Sequence, residues 1–159
     1  MWVAGASEAS RVTGLVREFR DWMGRDRPSE ADLRASVERL LDDPGCEYLL
    51  AATEANGEPT AVCQLRYRYG LWHSAEDCWL EDLYVSERAR RAGLGAALAR
   101  AAIDRARARG CRRVELDADS DNEAALALYE RLGFSATTPS GATRLMLRLH
   151  LDRGRRAET

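Results

Sequence analysis

The chain lacks a long apolar run, an excess of basic residues and any close pair of cysteines. No apolar segment approaches the roughly 18 residues of a membrane span. The first ten residues have neither a basic segment nor a long apolar core, so we expect no membrane partner and no signal peptide. The net charge is −2 and the acids and bases are interleaved, which gives no reason to expect nucleic acid as a partner.

The four cysteines are scattered, unlike the spacing of a disulfide framework or a zinc site. We therefore predict reduced, buried thiols, a cytoplasmic location and no metal. The 159 residues are 45% hydrophobic and 31% charged, which is typical of an ordinary globular protein. We expect a single domain over residues 1–151 and a polar tail over residues 152–159.

The apolar spacing predicts two helices, three strands, a helix, a strand, a helix and a last strand. Ser7 is the expected cap of the first helix, and Pro28-Ser29 with Asp32 is the expected start of the second. The last strand is expected from alternating apolar residues over 145–151. The predicted fold is α/β (α+β), with a mixed, mostly antiparallel sheet that carries helices on both faces.

The segment from Trp79 to Phe134 is the most informative part of the chain. In it an apolar strand leads through a short charged loop to glycines at the start of a helix. Backbone N–H groups at a helix N-terminus attract anions, and Gly93 and Gly95 let a ligand approach the backbone closely. The pattern therefore predicts a phosphate-binding loop.

Two other interpretations of this loop are open. A solvated loop before an ordinary helix can contain the same two glycines. A dinucleotide fingerprint would explain Glu115, which follows Gly95 by about twenty residues. However, Leu98 occupies the third glycine position and no second βαβ unit follows. Arg90 and Arg91 favour a phosphate ligand, because arginine forms strong charge-assisted bonds to phosphate.

The run Arg90-Arg91-Ala92-Gly93-Leu94-Gly95 resembles the pyrophosphate loop of the GNAT superfamily, the acyl-coenzyme-A-dependent N-acetyltransferases. The resemblance implies the GNAT fold, acetyl-coenzyme A as cosubstrate, and a bulge where the preceding strand splays from its neighbour. The backbone of that strand would then pair with the pantetheine arm and polarise the thioester carbonyl. The implied cofactor contacts are Leu83, Tyr84, Val85, Arg90, Arg91, Ala92, Gly93, Leu94, Gly95, Ala96, Asn122 and Ala125.

Asn122, Ala125 and Tyr129 lie along one face of the last expected helix, for which Ser120 and Glu123 fit a capping box. By itself, Tyr129 is typical of a half-buried aromatic residue. The resemblance implies instead that its hydroxyl lies beside the thioester sulfur, that Asn122 contacts pantetheine, and that Ala125 leaves room for it. A phenol with a pKa of about 10 can assist a departing thiolate.

Glu81 is the expected base. An amine with a pKa of about 10.4 is only about one part in two thousand neutral at pH 7, so it needs a proton acceptor. The run WLEDLYV over residues 79–85 resembles the strand of the spermidine/spermine acetyltransferase branch, in which the position of Glu81 binds or deprotonates the amine. Strict alternation predicts that Glu81 and Asp82 face opposite ways, which leaves Asp82 in reserve. The alternative for Glu81 is a structural salt bridge to Arg66 or Arg68.

The resemblance implies direct transfer of an acetyl group to a primary amine of a small molecule, with no covalent enzyme intermediate. A protein N-terminal acetyltransferase is one alternative. A non-catalytic acyl-coenzyme A sensor is another, which the presence of both Glu81 and Tyr129 disfavours.

A homodimer is expected on family grounds, with the edge strand Leu145–Leu151 as a surface for pairing. Glu76, Asp77 and Asp82 lie close to Glu81 in sequence, which predicts an acidic mouth and a cationic acceptor.

Overall fold

The computed structural model describes residues 1–150 and divides the chain into two compact units, Met1–Leu116 and Asp117–Thr159. The single domain expected over residues 1–151 stays a prediction. The strands of the first unit are β1 (Trp2–Val3), β2 (Cys46–Ala51), β3 (Ala61–Gly70), β4 (Ala75–Val85) and β5 (Val114–Glu115). Its helices are α1 (Ala9–Trp22), α2 (Glu30–Leu41) and α3 (Leu94–Ala108). The second unit contains α4 (Glu123–Arg131).

The sheet of the first unit has the strand order β1-β2-β3-β4-β5, with β5 parallel to β4 and the other pairs antiparallel. Alternation along the strands gives the sheet two apolar faces. Leu50 and Val62 pack on the side of α1 and α2, whereas Leu49 and Cys63 pack on the side of α3. The predicted mixed, mostly antiparallel sheet with helices on both faces is confirmed.

Of the caps predicted for the first two helices, the one at Ser29 is confirmed and the one at Ser7 is wrong. Ser29 caps α2 as expected, because its Oγ accepts the N–H of Asp32 at 3.2 Å. Ser7 does not cap α1. It lies in a 3-10 turn over Ala6–Glu8, and α1 begins only after that turn. Among the described residues, no helix is long and apolar enough to cross a membrane.

The strand predicted over residues 145–151 is wrong for residues 145–150, which form no strand, and Leu151 lies outside the described residues. Leu145, Leu147 and Leu149 are 74%, 86% and 82% exposed. Alternation marks residues that are able to pair, but a strand also needs a hydrogen-bonded neighbour. Within the described part of the second unit, the recorded pairing is one isolated bridge between residues 137 and 143.

Candidate active site

Strand β4 contains a β-bulge at Glu81. Asp82 pairs with Gln64 and Leu80 pairs with the next residue of β3, so Glu81 has no partner of its own. An extra residue in one strand shifts the alternation of side chains by one position. Accordingly, Leu80 and Leu83 both pack on the α3 side of the sheet, although strict alternation would separate them.

The bulge overturns the expectation that Glu81 and Asp82 face opposite ways. The two residues occupy the side of the sheet that a single residue would take in a regular strand. Asp82 pairs with Gln64, whose side-chain amide donates to Cys46 in the core on the side of α1 and α2. Asp82 therefore faces that side, and the bulge places Glu81 on the same side. We call Glu81 and Asp82 the acid pair.

The side chain of Glu81 is exposed and forms no ion pair among residues 1–116. Arg66 pairs instead with Asp43 at 3.2 Å, and Arg68 pairs with Glu115 at 2.7 Å. The structural salt bridge that was the alternative for Glu81 is therefore absent. The Glu81 carboxylate is accessible to an incoming amine.

The other acids expected near the site have local partners. Glu76 pairs with Arg109 at 2.5 Å, and this hydrogen bond lowers the pKa of Glu76. Asp77 is 1% exposed and lies 2.9 Å from both His73 and Arg113. These charges are offset within the β3–β4 hairpin and its neighbours. Glu76 and Asp77 are therefore not available as the unpaired charges that an acidic mouth was expected to contain.

The predicted phosphate loop follows β4 through a 3-10 turn over Glu87–Ala89. Arg91 has φ 66° and Gly93 has φ 77°, so the backbone is left-handed at both positions. Glycine adopts this conformation without the steric cost that a side chain adds, and Gly93 is the N-cap of α3. Three N–H groups of the first turn have no acceptor within the helix, those of Leu94, Gly95 and Ala96.

The first residues of this loop are accessible to a ligand. Residues 90–93 are exposed, and residues 94–97 are half-buried where α3 meets the sheet. Arg90 donates from Nε to the carbonyl of Val85 at 3.3 Å, so its side chain lies beside the last residue of β4. Among the described residues there is no group of three or more side chains suited to a metal ion.

In the second unit, α4 carries the remaining predicted residues. Asn122 caps the helix, because its Oδ1 accepts the N–H of Ala125 at 3.2 Å, and the cap expected at Ser120 is wrong. Ala125 and Tyr129 are half-buried on the same side of α4. The ring of Tyr129 meets Phe134 edge-on with centroids 5.6 Å apart. The shared face is as predicted, and the roles of these residues stay predictions.

Sequence reasoning missed three features of the first unit. It did not find the position of the bulge, the alignment of Tyr48, Gln64 and Asp82 across three neighbouring strands, or the contact of α1 with the phosphate loop through Trp22. Phe19 and Trp22 are three residues apart on α1 and therefore neighbours on its surface. That spacing was the available signal for an aromatic cluster.

Comparison with known proteins identifies the family. The model of the acetyltransferase (GNAT) family matches residues 15–134. A mycothiol acetyltransferase of Paenarthrobacter aurescens (strain TC1) is 32% identical over 135 residues, which are 84% of this chain and 41% of that enzyme. The thialysine N-epsilon-acetyltransferase of Bos taurus is 28% identical over 140 residues, which are 82% of this chain and 80% of that enzyme.

A solved structure is similar over most of its length. The crystal structure of a protein assigned as an acetyltransferase, from Arthrobacter sp. FB24, is 27% identical. It superposes with a TM-score of 0.82, and 94% of each chain is covered.

The chain therefore belongs to the acetyltransferase (GNAT) family, as its phosphate loop predicted. Its sheet and helices are the GNAT α/β fold. It is an enzyme of the acetyl-coenzyme-A-dependent N-acetyltransferase class.

Proposed function

We propose that the protein transfers an acetyl group from acetyl-coenzyme A to a primary amine of a small molecule, by direct attack in a ternary complex. The observation that carries this proposal is the bulge at Glu81, which presents an exposed carboxylate shortly before the phosphate loop. The names of two relatives support a small acceptor. One acetyltransferase is named for mycothiol, and the other for the Nε amine of thialysine.

In this proposal the phosphates of acetyl-coenzyme A bind at the loop. The unpaired N–H groups of the first turn of α3 and the exposed guanidinium groups of Arg90 and Arg91 supply suitable donors. The interruption of the ladder at the bulge supports pairing of the later β4 backbone with pantetheine. The proposed contacts are Leu83, Tyr84, Val85, Arg90, Arg91, Ala92, Gly93, Leu94, Gly95, Ala96, Asn122 and Ala125.

The proposed reaction needs two proton transfers. Glu81 accepts a proton from the bound ammonium group, directly or through water, because only the neutral amine has a free electron pair. The nitrogen then attacks the thioester carbon, the N–C bond forms and the C–S bond breaks. Tyr129 donates a proton or a hydrogen bond to the departing thiolate. Asp82, which the bulge places on the same side as Glu81, is the alternative base.

We further propose that the protein forms a homodimer. We also propose that it works in a reducing compartment such as the cytoplasm. The homodimer rests on the family resemblance alone. The compartment is supported by the four cysteines, which are all free thiols, and three of them are buried. Burial raises the pKa of Cys78 to about 12, which keeps this thiol protonated and unreactive at neutral pH.

The acceptor is tested by incubating the protein and acetyl-coenzyme A with amines, amino acids, aminoglycosides and peptides, with mass spectrometry of the products. We expect acetylated small amines, and much less product with Glu81→Gln. Glu54→Gln is the matched control, because Glu54 is also exposed but lies in the β2–β3 connection. Acetylation confined to peptide N-termini would contradict the small-molecule assignment.

A further inference from the structure

An aromatic cluster joins the end of α1 to the end of β4. Phe19 stacks on Tyr84 with ring centroids 5.1 Å apart. Trp22 lies 6.1 Å from Phe19 and 6.4 Å from Tyr84. Tyr84 is 6% exposed and belongs to the core on this side of the sheet, whereas Trp22 is 51% exposed. The cluster therefore brings a partly exposed indole of α1 to the start of the phosphate loop.

Arg90, the first residue of the loop, lies over this indole. Its guanidinium carbon is 5.1 Å from the centroid of the Trp22 ring, within the range of a cation–π contact. Its Nε is occupied by the carbonyl of Val85. A terminal nitrogen makes a longer contact of 3.7 Å with the exposed Glu87. The indole and the Val85 carbonyl thus fix the position of the guanidinium.

A hydrogen bond also holds α1 against this segment. Ser86, which is 1% exposed, donates from Oγ to Glu18 at 2.6 Å. Burial raises the pKa of Tyr84, the charge of Glu18 adds to this rise, and Arg90 opposes it. Three positions of α1, residues 18, 19 and 22, thus contact the chain between Tyr84 and Arg90.

We propose that Trp22 is a positioning residue for Arg90, whose guanidinium it holds ready for a phosphate group of acetyl-coenzyme A. The proposal rests on the proposed cofactor site. A free arginine side chain has many rotamers, and binding a phosphate would restrict them. A guanidinium that is already fixed on an aromatic ring loses less of this freedom, so the phosphate binds more tightly.

The test compares two acetyl donors, acetyl-coenzyme A and acetyl-pantetheine, which has no phosphate. Trp22→Leu should weaken acetyl-coenzyme A binding about two- to fivefold, the range of an exposed cation–π contact. KM for acetyl-coenzyme A should rise to match, kcat should stay constant, and both constants for acetyl-pantetheine should stay constant. Trp22→Phe, which keeps an aromatic face, should restore most of the affinity.

The matched control is Trp72→Leu. Trp72 is 94% exposed in the β3–β4 turn, so the same loss of an indole there should leave both donors unaffected. A second test uses Arg90→Gln as the background. Since Trp22 acts through Arg90 in this proposal, Trp22→Leu should have no further effect on acetyl-coenzyme A affinity in that background.

Two outcomes overturn this proposal alone. One is an equal loss of affinity for both donors in Trp22→Leu. The other is an undiminished effect of Trp22→Leu in the Arg90→Gln background. Either result would mean that Trp22 does not act through a contact of Arg90 with phosphate. If calorimetry detected no binding of acetyl-coenzyme A to the wild-type protein, that result would contradict the proposed cofactor site. It would also contradict the role proposed for Trp22, which depends on that site.

Discussion

The two ends of α3 carry glycines in nearly the same backbone conformation, which allows a matched pair of substitutions. Gly93 precedes α3 with φ 77°, and Gly110 follows it with φ 82°. A Cβ atom at either position would meet no other atom within 4 Å. Alanine at either site therefore adds only the cost of a left-handed residue, about 1–2 kcal/mol. For a chain of this length we expect Tm to fall by about 2–8 °C in both variants.

The two variants should differ in their affinity for the coenzyme. The methyl group of Gly93→Ala occupies the phosphate loop, where the ligand is proposed to approach the backbone. We expect Kd for acetyl-coenzyme A to rise roughly tenfold or more, equivalent to about 1.4 kcal/mol. Gly110→Ala, at the opposite end of the helix, should bind like the wild type.

Isothermal titration calorimetry and thermal unfolding of the same samples measure both effects. Equal affinity of folded Gly93→Ala and Gly110→Ala would refute the assignment of the loop to the phosphates. Clearly unequal losses of Tm would refute the argument that backbone strain is their common cost.

Three other measurements test the reaction and the assembly. Tyr129→Phe should lower kcat by roughly ten- to ten-thousand-fold, with little change in coenzyme affinity. An unchanged kcat, with chemistry shown to limit the rate, would leave Tyr129 a structural role. The wild-type kcat/KM should rise with pH as the amine or its base deprotonates, and Glu81→Gln should remove much of that rise. A clear preference for an anionic acceptor would contradict this proposal. Light scattering should report a dimer at micromolar concentration, and a monomer would count against the assembly.

Local sequence chemistry predicted much of the fold. Ser29 starts α2 because a side-chain oxygen can accept an N–H of the first turn, and Gly110 ends α3 because glycine accepts a left-handed backbone. Both signals lie within a few residues of the structure that they determine. The alternation of residues 145–150 does not determine a strand in the same local way, because a strand also depends on a pairing partner elsewhere in the chain.

In the candidate site, too, features fixed by neighbouring residues were predicted, and features fixed by distant contacts were not. The phosphate loop was predictable because its glycines and arginines are contiguous in sequence. The orientation of Asp82 relative to Glu81 was predicted wrongly, because the bulge is a property of the pairing of β4 with β3. The contact between Trp22 and Arg90 joins residues that are far apart in the sequence, so no local pattern predicts it.

The central claim is that an acetyl group passes directly from acetyl-coenzyme A to a small amine. The most direct test is a single-turnover experiment in which mass spectrometry measures the masses of the intact protein and of the small products. The protein is mixed first with acetyl-coenzyme A alone and then with the amine that proves active. We expect the protein mass to stay unchanged throughout, and acetylated amine and free coenzyme A to form together once the amine is added. An acetylated protein that passes its acetyl group to the amine after the coenzyme has been removed would contradict direct transfer, and so would the absence of product with every amine.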